Sequence, residues 1–426
     1  MIIQTNITKT KPWRRGSFVC AITLALSACS SFNIQPPVVD AENMCHFKRH
    51  ELNVNDTQID TSVANALAQH SRLPLLYLSG GSQNGAFGAG YISGWANKNN
   101  GKLPEFAIVT GVSTGAILSL SAFANVPEAA LNGYQIDSES DVLDLYVLNK
   151  GGKLSISDYL AAFKKGAVAD LAPMKSETKS ILKEYGLIAK ISQRAAENRK
   201  LFVAAVDVDT GYAVAFDLTD MAQRIEKASI SGNAEQENLL TNCFVDAVAA
   251  SSSAPLAAQP VFIDNRMYID GGVRFGIISD RIGQLIETTP IPQSAAGPQK
   301  RQVYVIINGD QEISKGCKIC GTVPEGIAHK DWNLIDLAFR SIGILSDQVY
   351  QFSEYKAIAD GQAQNSNYDM SITLIRSDKD DHVWNGKSCP DWKTQDKAEA
   401  DIVEFHPNYM KCLIDYGRKK AANEDW

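Results

Sequence analysis

Three short stretches carry residue types and spacings that can do chemistry. The first, Gly111-Val112-Ser113-Thr114-Gly115, follows the apolar run EFAIVT and opens the helical pattern TGAILSLSAFA. A strand, a sharp turn and a helix in that order make a nucleophile elbow, which projects a serine hydroxyl above the edge of a sheet. Gly111 and Gly115 leave room for the turn, and the helix N-terminus at Thr114 favours developing negative charge. The second stretch is Gly80-Gly81-Ser82-Gln83-Asn84-Gly85, directly after LPLLYL. The third is Asp270-Gly271-Gly272, where a carboxylate ends the strand pattern RMYI and two glycines let backbone approach.

The glycine-rich stretch has two nucleotide-binding rivals, and both fit poorly. A P-loop ends in Gly-Lys-Ser/Thr, whereas Gly85 is followed by Ala86-Phe87. A dinucleotide fingerprint needs a glycine where Ser82 stands. Its acidic partner, about 20 residues further on, would be Glu105 at the start of the next strand rather than its end. What remains is a run of backbone N–H groups at a strand end ahead of a helix, which can be aimed at an anion formed during reaction. Gly85, Gly88 and Gly90 also suit a tight turn and close helix packing.

A serine nucleophile needs a base. Asp270 is one candidate, and the histidine of a Ser-Asp-His triad is the other. Of the six histidines only His329, His382 and His406 follow Ser113, and His382, in SDKDDHVWNG, is the best of them, although it also reads as an exposed loop residue. An Asp carboxylate, with a reference pKa of about 3.9, is a weak base toward a hydroxyl. It can serve only in a dry site whose preorganised N–H donors, worth about 3 kcal/mol each, hold the transition-state charge. No His, Cys, Asp or Glu cluster has metal-ligand spacing, so neither a metal nor another cofactor is expected.

The scaffold that must position these groups is α/β. LPLLYL (73–78), EFAIVTG (105–111), KLFVAAVDV (200–208) and RQVYVIING (301–309) are continuous apolar runs bounded by turn residues, the mark of buried parallel strands. Residues 84–98, 114–124 and 238–254 read as helices between them, and 126–198 as mostly helical. YAVAFDL (212–218) partners the third strand, VFID and RMYID form a hairpin around Asp264-Asn265, and WNLIDLAFRSIGILSDQVYQF is a long amphipathic helix before the late strand MSITLIR. Strands alternating with helices imply a three-layer α/β/α sandwich with a mostly parallel central sheet.

The glycine-rich loop, the G-x-S-x-G elbow and the D-G-G, present together and in order, resemble the patatin-like phospholipase family. The segment Ala250-Ser251-Ser252-Ser253-Ala254-Pro255 is also similar to that family's stretch before the aspartate. The resemblance spans about residues 74–280. It implies a patatin-like fold and a lipid acyl hydrolase of the phospholipase A type, working through an acyl-enzyme. Ser113 would be the nucleophile, Asp270 its base, and the amides around Gly81, Ser82 and Gln83 the oxyanion hole. The chain departs from the family at Ser82, where the family carries Gly, at Asn84, where it usually carries a basic residue, and at Gly276, where it tends to place an Asn.

The N-terminus reads as a targeting segment. Lys9, Lys11, Arg14 and Arg15 precede the apolar FVCAITLAL, which is shorter than the roughly 20 residues a membrane-spanning helix needs. Leu26-Ser27-Ala28-Cys29 resembles the lipobox of bacterial lipoproteins, which implies cleavage of residues 1–28, acylation of Cys29 and, with Ser30 following, the outer membrane of a bacterial envelope. Losing four positive residues takes the formal net charge from −7 to −11, which offers nothing to attract nucleic acid. The expected partners are a lipid-ester substrate and, through the acyl chains, the membrane; no feature points to a protein partner. Six further cysteines, Cys45, Cys243, Cys317, Cys320, Cys389 and Cys412, suggest structural disulfides of unreadable connectivity.

The expected organisation is therefore a polar tether over 29–72, a catalytic domain over 73–285 and a C-terminal α/β extension over 286–426, packed on the catalytic domain. Two other readings stay open at this point: an α/β-hydrolase esterase with a Ser-Asp-His triad, and a non-catalytic lipid-binding envelope lipoprotein. Acyl transfer to an alcohol shares the same chemistry as hydrolysis.

Overall fold

The computed structural model describes residues 34, 37–52, 57–146, 162, 164–279, 282, 285, 286, 289, 301–309, 334–362, 370–376, 382–399, 402 and 404–424. The targeting segment with Cys20 and Cys29, and the pair Cys317 and Cys320, lie outside them, as does His329.

The principal strands are β1 (Arg49–Glu51), β2 (Leu75–Leu78), β3 (Ile108–Val112), β4 (Asp144–Leu145), β5 (Ala167–Asp170), β6 (Lys200–Asp207), β7 (Ala213–Asp217), β8 (Leu256–Ala258), β9 (Val261–Ile263), β10 (Arg266–Asp270), β11 (Arg301–Ile307) and β12 (Met370–Arg376). The helices are α1 (Thr57–Gln69), α2 (Gly85–Lys98), α3 (Thr114–Ala124), α4 (Pro127–Asn132), α5 (Ala172–Glu184), α6 (Leu187–Ala196), α7 (Leu218–Ile230), α8 (Ala234–Ser251), α9 (Leu334–Gln362), α10 (Cys389–Glu399) and α11 (Pro407–Asn423).

Nine strands form the central sheet, in the order β1-β7-β6-β3-β2-β11-β12, with β10 paired to β6 and β9 to β10. From β6 through β12 all pairings along that path are parallel. Helices cover both faces, which is why β2 and β3 are apolar at nearly every position: every residue of both is buried. The fold is the expected α/β architecture with a mostly parallel sheet. The 126–198 region is less helical than expected, because β4 and β5 join β8 in a separate three-stranded sheet.

Residues 37–52 and 57–72 are not a free tether. β1 pairs antiparallel with β7, and α1 buries Ile59, Val63, Ala66 and Leu67 against the sheet. The reason is tertiary. At the β9–β10 turn, Asp264 and Asn265 sit at φ 52° and 60°, and the Asp264 carboxylate accepts the backbone N–H groups of Cys45, His46 and Phe47 at 2.6, 3.2 and 3.0 Å. Cys45 is then bonded to Cys243 of α8 across 198 residues of sequence. A polar, mixed composition carries no local sign of such contacts.

The C-terminal residues are equally built in. β11 pairs with β2, and α11 lies on α2 so closely that a Cβ on Gly90 would stand 2.1 Å from the Ile414 carbonyl oxygen, and one on Gly94 2.6 Å from that of Arg418. A second disulfide, Cys389–Cys412, ties α10 to α11. Trp95 of α2, fully buried, meets Tyr91, Phe106 and Tyr304 edge-on and anchors that helix to the sheet.

Candidate active site

Strand register brings Ser113 and Asp270 together. β3 runs parallel along residues 200–204 of β6, ending with Val112 opposite Ala204. β10 runs the other way along residues 205–207, ending with Asp270 opposite Ala205. The other flank of β6 is taken by β7, so β3 and β10 share one flank and meet end to end. One chain leaves β3 as Ser113 while the other leaves β10 as Asp270, and the Ser113 side chain hydrogen-bonds the Asp270 carboxylate.

Ser113 sits at φ 54°, ψ −124°, a conformation that costs a non-glycine residue about 1–3 kcal/mol. The surroundings hold it there. A Cβ on Gly111 would meet the Gly115 carbonyl oxygen at 2.3 Å, and one on Gly115 the Leu78 carbonyl oxygen at 2.3 Å. Both glycines of the elbow are therefore required by close backbone approach. From α8, the Ser251 hydroxyl accepts the Ser113 N–H at 2.9 Å, the Ser252 hydroxyl donates to the Ser113 carbonyl at 3.2 Å, and the Ser253 carbonyl accepts the Asp270 N–H at 2.9 Å. The run of three serines thus grips the backbone of both residues.

Asp270 is buried and receives two hydrogen bonds, from Ser113 and from the Gly272 N–H at 2.7 Å. Burial pushes its pKa up to about 6, with those two bonds pulling in the other direction. A carboxylate raised toward neutrality is a better base than an ordinary one.

The glycine-rich loop follows β2 and abuts Ser113: a Cβ on Gly80 would lie 3.0 Å from that of Ser113. Residues 82–84 form one turn of 3-10 helix, in which the Asn84 N–H bonds the Gly81 carbonyl and the Gly85 N–H those of Ser82 and Gln83. The amides of Gly81, Ser82 and Gln83 are left as donors that the turn does not use. Gly81 at φ 147° packs on Asn308 and Gly309 at the end of β11. Ser82, at φ 51°, holds a conformation that favours glycine.

The loop is braced from the far end of the chain, which local reading does not reveal. The Gln83 side-chain oxygen accepts the His406 backbone N–H at 3.3 Å and lies 3.1 Å from His406 Nδ1, which also lies 2.8 Å from the Glu404 carbonyl. Burial holds the His406 pKa below its usual value, so the ring is neutral, with Nδ1 the protonated nitrogen facing both oxygens. The Tyr409 hydroxyl donates to the Asn84 side-chain oxygen at 3.0 Å. Behind the elbow, Tyr134 donates to the Thr114 carbonyl at 3.0 Å and bonds the Thr114 hydroxyl.

The preferred triad histidine, His382, is engaged elsewhere. His382 Nε2 is 2.8 Å from Asp415 of α11, and its ring lies against Tyr416. Among the described residues no group of three or more His, Cys, Asp or Glu side chains is gathered to hold a metal.

A family model described as patatin-like phospholipase matches residues 76–278. No curated protein matches the chain. Among solved structures, the crystal structure of VipD from Legionella pneumophila is similar at 11% identity and a TM-score of 0.30, covering 81% of this chain and 67% of that one. That likeness is too loose to carry weight.

Proposed function

We propose that this protein, whose residues 76–278 are a patatin-like phospholipase domain and so belong to a family of lipid acyl hydrolases, cleaves lipid esters by a Ser113–Asp270 dyad. The observation that carries the reading is the end-to-end meeting of β3 and β10, which sets a strained serine against a buried carboxylate of raised pKa. Ser113 Oγ attacks the ester carbonyl as its proton passes to Asp270. The negative charge that develops on the carbonyl oxygen is held by the amides of Gly81, Ser82 and Gln83. Collapse expels the alcohol, which takes the proton back from Asp270. Water, deprotonated by Asp270, then attacks the acyl-serine, releasing the fatty acid and restoring both groups.

Among the described residues no histidine bonds Ser113 or Asp270, and the engagement of His382 with Asp415 supports a dyad over a triad. Hydrolysis of a short-chain nitrophenyl ester and of a phosphatidylglycerol–phosphatidylethanolamine mixture separates the alternatives. Loss of both activities in Ser113→Ala and in Asp270→Asn, with His382→Ala active, supports the dyad; an inactive His382→Ala supports the triad. Equal rates in wild type and Ser113→Ala support the non-catalytic reading.

We infer also that the chain is cleaved before Cys29 and tethered by lipid there to the bacterial outer membrane, on the strength of Leu26-Ser27-Ala28-Cys29 after a basic, apolar leader. Incorporation of radiolabelled palmitate by wild type, and its absence in Cys29→Ala, tests this.

A further inference from the structure

Three glycines around the site share a neighbour that lies outside the matched residues. A Cβ on Gly80 would stand 2.0 Å from the Tyr350 hydroxyl and 3.0 Å from Ser113 Cβ. One on Gly272 would stand 3.0 Å from the Tyr350 hydroxyl and 3.0 Å from Asp270 Oδ1. One on Gly276 would stand 2.5 Å from Tyr350 Cδ1. The oxyanion loop, the D-G-G turn and the segment after it are thus all bare of side chains where one phenol enters. Two points fix the ring's direction. Its Cδ1 edge rests at Gly276, and its hydroxyl end reaches Gly80 and Gly272, where the hydroxyl and Asp270 Oδ1 each lie 3.0 Å from the bare Cβ position of Gly272.

Tyr350 is held in that pose by its helix. α9 packs on the turn of residues 271–273, and one turn beyond Tyr350 the Ser353 hydroxyl accepts the Gly276 N–H at 2.9 Å. Ala357, a further turn on, is buried in the core. Tyr350, Ser353 and Ala357 therefore form one face of α9 turned toward the site.

We propose that Tyr350 is a positioning residue of this active site, its phenol hydroxyl standing beside the Asp270 carboxylate unbonded in the free protein and closing on it as a hydrogen-bond donor when substrate enters, which fixes the carboxylate toward Ser113. The proposal rests on the dyad reading. The charged groups facing the phenol are Asp270 across the turn and Asp347 on its own helix; with burial, both raise its pKa, so the hydroxyl stays protonated and acts as a donor. In the free protein Ser113 and the Gly272 N–H give Asp270 its two hydrogen bonds, and the phenol would add a third. A donor to the ionised form stabilises that form. Without it the carboxylate binds its proton more tightly, and the serine faces a base that is less often ionised and less firmly aimed.

Tyr350→Phe keeps the ring and removes the donor. It should lower kcat on a nitrophenyl ester about tenfold or more with KM little changed. It should also move the acid limb of the kcat profile upward by about one pH unit. Wild-type kcat and an unmoved acid limb in Tyr350→Phe would overturn the proposal, and so would a Tyr350→Ala enzyme faster than wild type, which would make the ring an obstruction. Ser113→Ala run alongside keeps the two readings apart: if it is active, the dyad fails; if it is dead while Tyr350→Phe is normal, only the role of Tyr350 fails.

Discussion

Two buried carboxylates end neighbouring strands, and the protein treats them in opposite ways. Asp207, at the end of β6, is fully enclosed and completely partnered: Arg266 Nη1 at 2.8 Å, Arg49 Nη1 at 3.4 Å, and the backbone N–H groups of Asp209 and Thr210 at 3.1 and 3.3 Å. It ties β1, β6 and β10 together. Asp270, at the end of β10, is buried against a hydroxyl and one amide, and no cation contributes to its pKa. A buried charge left short of compensation raises the energy of the ionised form. On the proposed dyad the comparison teaches where reactivity would be stored: one carboxylate is paired with cations to hold strands, and the other is left without one.

The largest test of that contrast is a pair of substitutions. Asp270→Asn should cost at least about a thousandfold in kcat, while the protein still folds. Asp207→Asn should do the reverse, lowering unfolding free energy by about 2 kcal/mol because Arg49 and Arg266 each lose a charged acceptor, with near-normal activity in the folded fraction. Denaturant titration and ester hydrolysis on both variants read the difference. If Asp207→Asn alone were inactive, the division of labour would be wrong.

The second effect is on pH. Asp270 has a folded pKa of about 6, above its unfolded value. Its contribution to stability is therefore fully present below about pH 4 and lost as pH rises through about 6. Activity, which needs the ionised form, should rise over the same window. At pH 7 Asp270→Asn should thus be more stable than wild type by roughly 2–3 kcal/mol, a gain that vanishes on acidification. A variant equally stable at pH 7 and pH 4 relative to wild type would contradict the raised pKa.

Smaller effects are expected at the loop. His406→Ala frees Gln83 and should lower kcat about tenfold by loosening the 81–83 amides, with little change in Tm; a Tm loss without a kcat loss would make His406 a packing residue only. Ser82→Gly should relieve the positive φ and raise stability by about 1 kcal/mol without altering kcat; a drop in kcat would give the hydroxyl a part in the chemistry.

The elements of the site that lie in one local pattern were legible in the sequence. The elbow needs glycine, serine and glycine at fixed spacing between strand and helix, and the D-G-G sits where a strand must stop, so residues 80–85, 111–115 and 270–272 could be picked out by type and order. The buried strands announced themselves as apolar runs for the same reason. What was not legible depends on contacts between distant parts of the chain. His406 meets Gln83 across 323 positions, and nothing around WNLIDLAFRSIGILSDQVYQF marks Tyr350 over its neighbours. Residues 29–72 read as a tether because the groups that order part of them, the Asp264 carboxylate at residues 45–47 and the Asn265 amide at Val39, belong to a hairpin more than 200 residues away. The three serines at 251–253 offered a signal, an unusual polar run at the end of a buried helix, that only the geometry explains.

The claim at the centre is that Ser113 is the nucleophile and owes its reactivity to Asp270. Treating the protein with a fluorophosphonate and mapping the adduct by peptide mass spectrometry tests it most directly. The account predicts one adduct per chain, on Ser113, absent in Ser113→Ala and formed far more slowly in Asp270→Asn. An adduct on another serine, or labelling of Ser113 at an undiminished rate in Asp270→Asn, would contradict it.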